Sequence, residues 1–355
     1  MELQHVFSFP YMNSFSNIVF DKNNSAYFFS PNLSENNRVI NHQIHSINTE
    51  NEMMLFAIIG GVIDCKTFKL FENQLCFCAH KDESHTVYVY NLDGTIIWKK
   101  TFYTSVLDLN IMYNGNVAIT TRSGEKNTIV WYNVEGEEIE RYDSNFQFAE
   151  FSVLSRCVLV CTDKKILKFD FYGKLESTLD IGHTAFSLWN NITDPNNSNV
   201  SFVVTSLDSI FTVDFDGVII NKHSLKSKLN KAFFDKINMY GLNNYKDSEV
   251  LLMQNGFLDN QLVIIDLERN SNVAVFNSKK KFINTPVITQ KKQILAFIEG
   301  SEHSSKCVIF DNALNILKTF NVVGEVLRFI ANDDRAYVLS LDRNSNKISI
   351  LSFSV

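Results

Sequence analysis

VYVYNLDGTIIWKKTF, residues 87–102, is the stretch whose reading decides the fold. Large apolar residues alternate into Asn-Leu-Asp-Gly and resume beyond it, the pattern of two antiparallel strands joined by a tight turn. Used as a probe, a strand closing on Asn or Asp recurs along the chain. It ends at Asn48 (IHSIN), Asn91 (VYVYN), Asn133 (IVWYN), Asp170 (ILKFD), Asp214 (IFTVD), Asp266 (LVIID) and Asp311 (CVIFD), with ISILS at Ser352 as an eighth landmark. The spacings are 43, 42, 37, 44, 52, 45 and 41 residues, a mean near 43. That is the period of a repeat built from four short strands.

Turn chemistry supports the same register. Gly94, Gly136, Gly173 and Gly217 stand three residues after their landmarks, with Asn51 in the first repeat, and these residue types tolerate the positive φ of tight hairpins. In the sixth and seventh repeats Arg269-Asn270 and Leu314-Asn315 take that place, so turns one residue longer are expected there. In the third repeat the pattern predicts strands over 106–113, 117–121, 128–133 and 138–142, and in the fourth over 146–153, 157–161, 166–171 and 175–179.

The last landmark leaves its repeat one strand short, while residues 1–10 are strand-like and belong to no repeat. Joining them closes a ring and removes exposed edges. The expected architecture is therefore one all-β domain over 1–355, an eight-bladed antiparallel β-propeller with the N-terminal strand completing the last blade. Seven blades is the alternative if the weakly patterned first sixty residues form something else. Two stretches interrupt the repeat: the polar loop at 190–199, and 221–237. In the latter Leu225, Leu229, Ala232 and Phe233 recur at helical spacing. It is read as a helical insertion, with Lys226, Lys228 and Lys231 as candidate partner-binding residues.

Bulk properties narrow the function. The 355 residues are 45% hydrophobic and include thirty Phe, and the net charge is -6. That excludes a disordered chain and gives no electrostatic case for nucleic acid or an anionic membrane. No signal peptide is seen, and the apolar run Met53 to Ile59 is too short to span a bilayer; a cytoplasmic protein, monomeric alone, is expected. Cys65, Cys76, Cys78, Cys157, Cys161 and Cys307 lie in or beside apolar segments and read as buried, reduced thiols.

No nucleophile elbow, phosphate-binding glycine loop or His-Glu-x-x-His motif is present. His42 with His45, and His80 with His85, stand at irregular offsets and read as ordinary surface residues. No catalytic residue, metal ligand or cofactor is assigned. Lys279, Lys280 and Lys281, with Lys291 and Lys292 a strand later, are read as a solvated basic face.

A strand ending in Asp or Asn, then x-x-Gly, then a strand that in one repeat carries Trp98, resembles the repeats of PQQ-like and WD40-like β-propellers over almost the whole chain. The resemblance implies the fold. Neither the Gly-His and Trp-Asp pairs of WD40 repeats nor a tryptophan in every blade recurs in phase, so it implies no quinone chemistry. The function expected is a non-catalytic protein-interaction module binding a protein partner, in a narrower form an inhibitor or immunity-type protein that neutralises its target. The alternative is an enzyme or small-ligand binder with its site in the central channel.

Overall fold

Every Asn or Asp landmark within the described residues lies at, or immediately after, the end of the third strand of an antiparallel sheet, and Ser352 lies two residues before the end of its own. The computed structural model describes residues 3–10, 17–36, 38–145, 148, 150–153, 157–162, 165–180, 187–189, 202–205, 209–213, 219–224, 234–241, 249–256, 260–266, 269, 271–289, 291–300, 304–331 and 335–355. Their strands form eight sheets. The first comprises Ile18–Phe20, Ala26–Leu33, Val39–Ile47 and Met53–Gly60, so residues 18–60 form a four-stranded antiparallel sheet like the later repeats. The second adds a split inner strand, Val62–Ile63 and Lys69–Phe71, to Gln74–Lys81, Ser84–Asn91 and Ile96–Phe102.

The third sheet is Ser105–Ile111, Val117–Ser123, Lys126–Tyr132 and Glu138–Ser144, and the fourth Glu150–Val153, Val158–Cys161, Lys165–Phe169 and Leu175–Asp180. The fifth to seventh sheets repeat the plan, beginning at Ser187–Trp189, Phe234–Gly241 and Phe282–Ile288. In the eighth, Glu325–Ala331, Arg335–Asp342 and Lys347–Ser354 are completed by Gln4–Pro10, which pairs antiparallel with Lys347–Ser354. The inner strands are laid side by side in circular succession, and Glu325–Ala331 of the eighth sheet touches Ile18–Phe20 of the first. Among the described residues there is no helix, hence none long and apolar enough to cross a membrane.

The landmark residues make the corners. Asn48, Asn133, Asp170 and Asp311 each use Oδ1 to accept the backbone N–H groups two and four residues on, at 2.8–3.1 Å. A short side-chain acceptor at that position closes the turn locally. At Asn91 the task passes to Asp93, whose Oδ1 accepts from the Thr95 N–H and hydroxyl. The third residue beyond the landmark has positive φ at five corners: Asn51 65°, Gly94 87°, Gly136 81°, Gly173 89° and Leu314 59°.

Leu314 corrects the expectation of a longer seventh turn. It occupies the glycine position in a turn of the same length, donating its N–H to the Asp311 carbonyl as Gly94 does to Asn91. Its side chain is buried in the core between the sixth and seventh sheets, which offsets the backbone strain. Each outer strand carries one β-bulge, placed at Ile97, Ile139, Glu176, Ile220 and Leu317 in five repeats, six residues past the landmark. In the sixth it falls at Val273, seven past, consistent with one extra residue in that turn.

The stretch expected to be a helix, 221–237, begins inside the strand Ile219–Ser224 and ends inside Phe234–Gly241. Its ends are therefore strand, residues 221–224 pairing antiparallel with Ser209–Val213 and residues 234–237 with Glu249–Gly256. Lys226, Lys228 and Lys231 lie outside the described residues, as do the loop at 190–199 and Gly217.

The core lies between sheets. Cys76, Cys78, Val87 and Val89 of the second sheet pack with Leu109, Val117, Ile119 and Val130 of the third, and similar clusters join the first to the second, the third to the fourth, the sixth to the seventh, the seventh to the eighth and the eighth to the first. Tryptophan marks two of these seams. A Cβ on Gly136 would lie 2.7 Å from Trp98 of the preceding sheet, and one on Gly173 would lie 2.5 Å from Trp131. Gly173→Ala is expected to cost about 3 kcal/mol, combining left-handed strain with overpacking. Gly124→Ala, with φ 61° and nothing within 4 Å, should cost about 1 kcal/mol; equal losses in urea unfolding would refute the docking. Phe9, buried from the closing strand against the first and eighth sheets, should cost about 3–4 kcal/mol as Phe9→Ala.

Candidate functional site

The face where outer strands cross over to the next inner strand holds the chain's unusual polar residues. Six residues before each landmark stand His42, His85 and Ser305, near the start of the third strand. Each accepts the backbone N–H of the residue twenty-one positions on: Ile63 to His42 Nδ1 at 2.8 Å, Val106 to His85 Nδ1 at 3.5 Å, and Val326 to Ser305 Oγ at 3.1 Å. Ser305 also donates to the Gly324 carbonyl. One side chain thus pins the crossover between successive sheets and satisfies a backbone donor that no ladder reaches.

His42 and His85 are therefore in phase, 43 residues apart, and the surface reading of His42 is corrected: it is 0% exposed. Burial pushes its pKa down to about 4, against a smaller upward pull from the Gly61 carbonyl. His45 is likewise lowered by burial, with Nε2 at 3.1 Å from Ser30 Oγ and its ring stacked on Phe28. These two histidines are packing and pinning residues.

The second sheet differs from the first at the same place. Cys78 and His80 are two apart on Gln74–Lys81 and so share a face. His85 is the cross-strand partner of His80, and their rings meet edge to face at 4.3 Å. The Cys78 sulfur and one nitrogen of each histidine lie within 4.8 Å of one another. Asp64, on the incoming crossover, places Oδ2 3.8 Å from His80 Nε2 and donates its backbone N–H to the Cys78 carbonyl at 3.0 Å.

The electrostatics follow from this packing. Cys78 is 0% exposed; burial, then the Asp64 charge, push its thiol up to about 12. His85 is lowered by burial and then by His80, with Asp64 pulling the other way. Burial alone would raise Asp64, but hydrogen bonding to His80 and to the Lys66 N–H outweighs it and holds the carboxyl below its ordinary value. Sequence spacing missed the group because its members meet across strands; the phase relation of His85 to His42 was the available signal.

Elsewhere the inner strands of the second and third sheets face each other through Lys69, whose Nζ reaches Asp108 Oδ1 at 2.7 Å and Asn110 Oδ1 at 2.8 Å. A cavity of about 290 Å³ at the opposite face is lined by Phe71, Glu72, Gln74, Asn91 and Tyr113, among others. The lysines read as one basic face are separated. Lys279 to Lys281 precede and Lys291 and Lys292 follow the strand Phe282–Ile288, roughly 20 Å of extended chain.

No family model and no curated protein matches the sequence. Solved structures do match in fold. A quinohemoprotein alcohol dehydrogenase from Pseudomonas putida HK5 superposes with TM-score 0.64 at 8% identity, covering 99% of this chain and 76% of that one. The WD40 domain of SCAP from fission yeast gives 0.62 at 7% identity, over 99% and 97%. Sqt1 from Chaetomium thermophilum, bound to the N-terminus of the ribosomal protein L10, gives 0.61 at 9% identity, over 94% of both chains. The chain has a β-propeller fold of the PQQ-like and WD40-like kind.

Stability should depend on pH through His42. Above about 6.5 the ring is neutral folded and unfolded; between about 6.5 and 4 the unfolded chain binds the proton and the folded one does not, so stability falls as pH falls. The full loss, complete below the folded value, is about 3 kcal/mol. Urea midpoints of wild type and His42→Asn should therefore converge between pH 7 and pH 4; a pH-independent gap would contradict this.

Proposed function

We propose that the protein is a non-catalytic protein-interaction module that takes an apolar segment of a partner on the outer strand of its first sheet. The observation that carries this is the strand Met53–Gly60, MMLFAIIG, which has no polar side chain. It is the free edge of its sheet, and Met54 is 60% exposed, Leu55 55% and Ile58 57%. The outer strands of the second and third sheets carry Lys99 and Lys100, and Glu138, Glu140 and Arg141, the charges that keep an edge soluble, and the uncharged Ser271–Ser278 intersperses Ser and Asn. A contiguous apolar patch on such an edge marks an interaction surface.

Sqt1 supports the reading by analogy, as a propeller that holds the terminus of another protein. Its narrower form, an inhibitor or immunity-type protein that neutralises a toxin or enzyme, rests on the same surface and the same partner. Six cysteines, none of them in a disulfide, fit a reducing compartment, and the cytoplasm is the location we propose. In isolation from cells that make it, the wild-type chain should recover a stoichiometric partner. Met54→Glu with Ile58→Glu, both at exposed positions, should retain the melting temperature within a few degrees and lose at least tenfold of that partner. Equal recovery by the variant, or no stoichiometric protein from either, would overturn the proposal.

A further inference from the structure

We propose that Cys78, His80 and His85 bind a zinc-class divalent ion, with Asp64 holding His80 in place from behind. This goes beyond the interaction reading and rests on a different part of the fold.

The donor set is one sulfur and two imidazole nitrogens. That combination selects zinc or cobalt over magnesium and calcium, which prefer oxygen. Zinc takes thiolate at about 2.3 Å and imidazole at about 2.0–2.1 Å, so its ligand atoms stand roughly 3.5 Å apart. Atoms already within 4.8 Å need closing shifts of about 1 Å. The frame that holds them is rigid: two residues share one strand face, the third is directly opposite across a short hairpin, and Asp64 is tied by its backbone to the strand that carries Cys78. The sulfur is buried while the imidazoles reach solvent, which supplies an entry path.

Asp64 supplies the outer shell. A carboxylate on the far nitrogen of a ligating histidine fixes its ring and raises its basicity. With Asp64 near His80 Nε2, Nδ1 of that ring is the nitrogen left for the metal. The thiol proton leaves to solvent as the thiolate binds. Three protein ligands leave a fourth position for water.

Binding also has a structural cost that identifies it. His85 Nδ1 now accepts the Val106 N–H at 3.5 Å, a weak contact. A metal on Nδ1 displaces that donor, and a metal on Nε2 puts a proton on Nδ1 facing it. Either way the crossover pin of the second sheet is exchanged for the metal. The first sheet offers an internal comparison: His42 keeps its 2.8 Å bond, and Pro31 and Phe29 stand where His80 and Cys78 would be.

The test is titration of the purified full chain with cobalt(II), then with zinc in competition. One equivalent per chain should bind with the sulfur-to-cobalt charge-transfer absorption of a thiolate ligand, and zinc should displace it. Cys78→Ser should abolish that absorption and weaken zinc at least a hundredfold, while Cys76→Ser, a buried cysteine outside the cluster, should leave both unchanged. Asp64→Asn should weaken zinc roughly 10–100-fold while keeping the absorption. Absence of the sulfur band in folded wild-type protein, or zinc affinity unchanged in Cys78→Ser, would overturn the site.

Discussion

None of the sheets can bury its own faces. A four-stranded antiparallel sheet has two sides, and here each described core cluster is assembled from two successive sheets. A repeat in isolation would expose half of its apolar side chains on each side, so stability belongs to the seams. The crossover pins at His42, His85 and Ser305 and the glycine corners against Trp98 and Trp131 are devices that keep one sheet at the right distance from the next. The circular order lets every seam be an interior one.

The repeat was legible because its corners have an obligatory chemistry. An Asn or Asp that caps its own turn, and a residue three further on with positive φ, leave a mark that survives when everything between them varies. Leu314 shows the limit of that mark: a leucine takes the strained conformation because its side chain is paid for by burial, and no local rule predicts this. The histidines show another limit. Taken as pairs three and five apart, His42 with His45 and His80 with His85 look irregular; taken one repeat apart, His42 and His85 fall in phase. Cys78, His80, His85 and Asp64 converge through cross-strand register and a crossover, neither of which can be read from spacing along one strand.

Outer strands show how the molecule handles its periphery. A bulge in each interrupts the row of free backbone groups, and charges on several of them discourage further pairing. The first sheet keeps the bulge, at Phe56, but dispenses with the charges. Phe56 turns inward onto Tyr27 and Tyr90, while Met54, Leu55 and Ile58 are left outside. The same local irregularity that protects an edge elsewhere here sorts one apolar strand into an anchored half and an exposed half.

The pairing of Gln4–Pro10 with Lys347–Ser354 joins residues far apart in the chain, as in the contact between Ser8 and Ser349, 341 positions apart. During synthesis the first of these segments is made more than 300 residues before its partner. At roughly 5–20 residues per second, the strand waits on the order of tens of seconds with its backbone unpaired. Sequences that must wait in this way need protection from premature partners. His5, Ser8 and Pro10 interrupt the apolar residues of that strand, and a proline with no N–H to give makes it a poor template for any other chain.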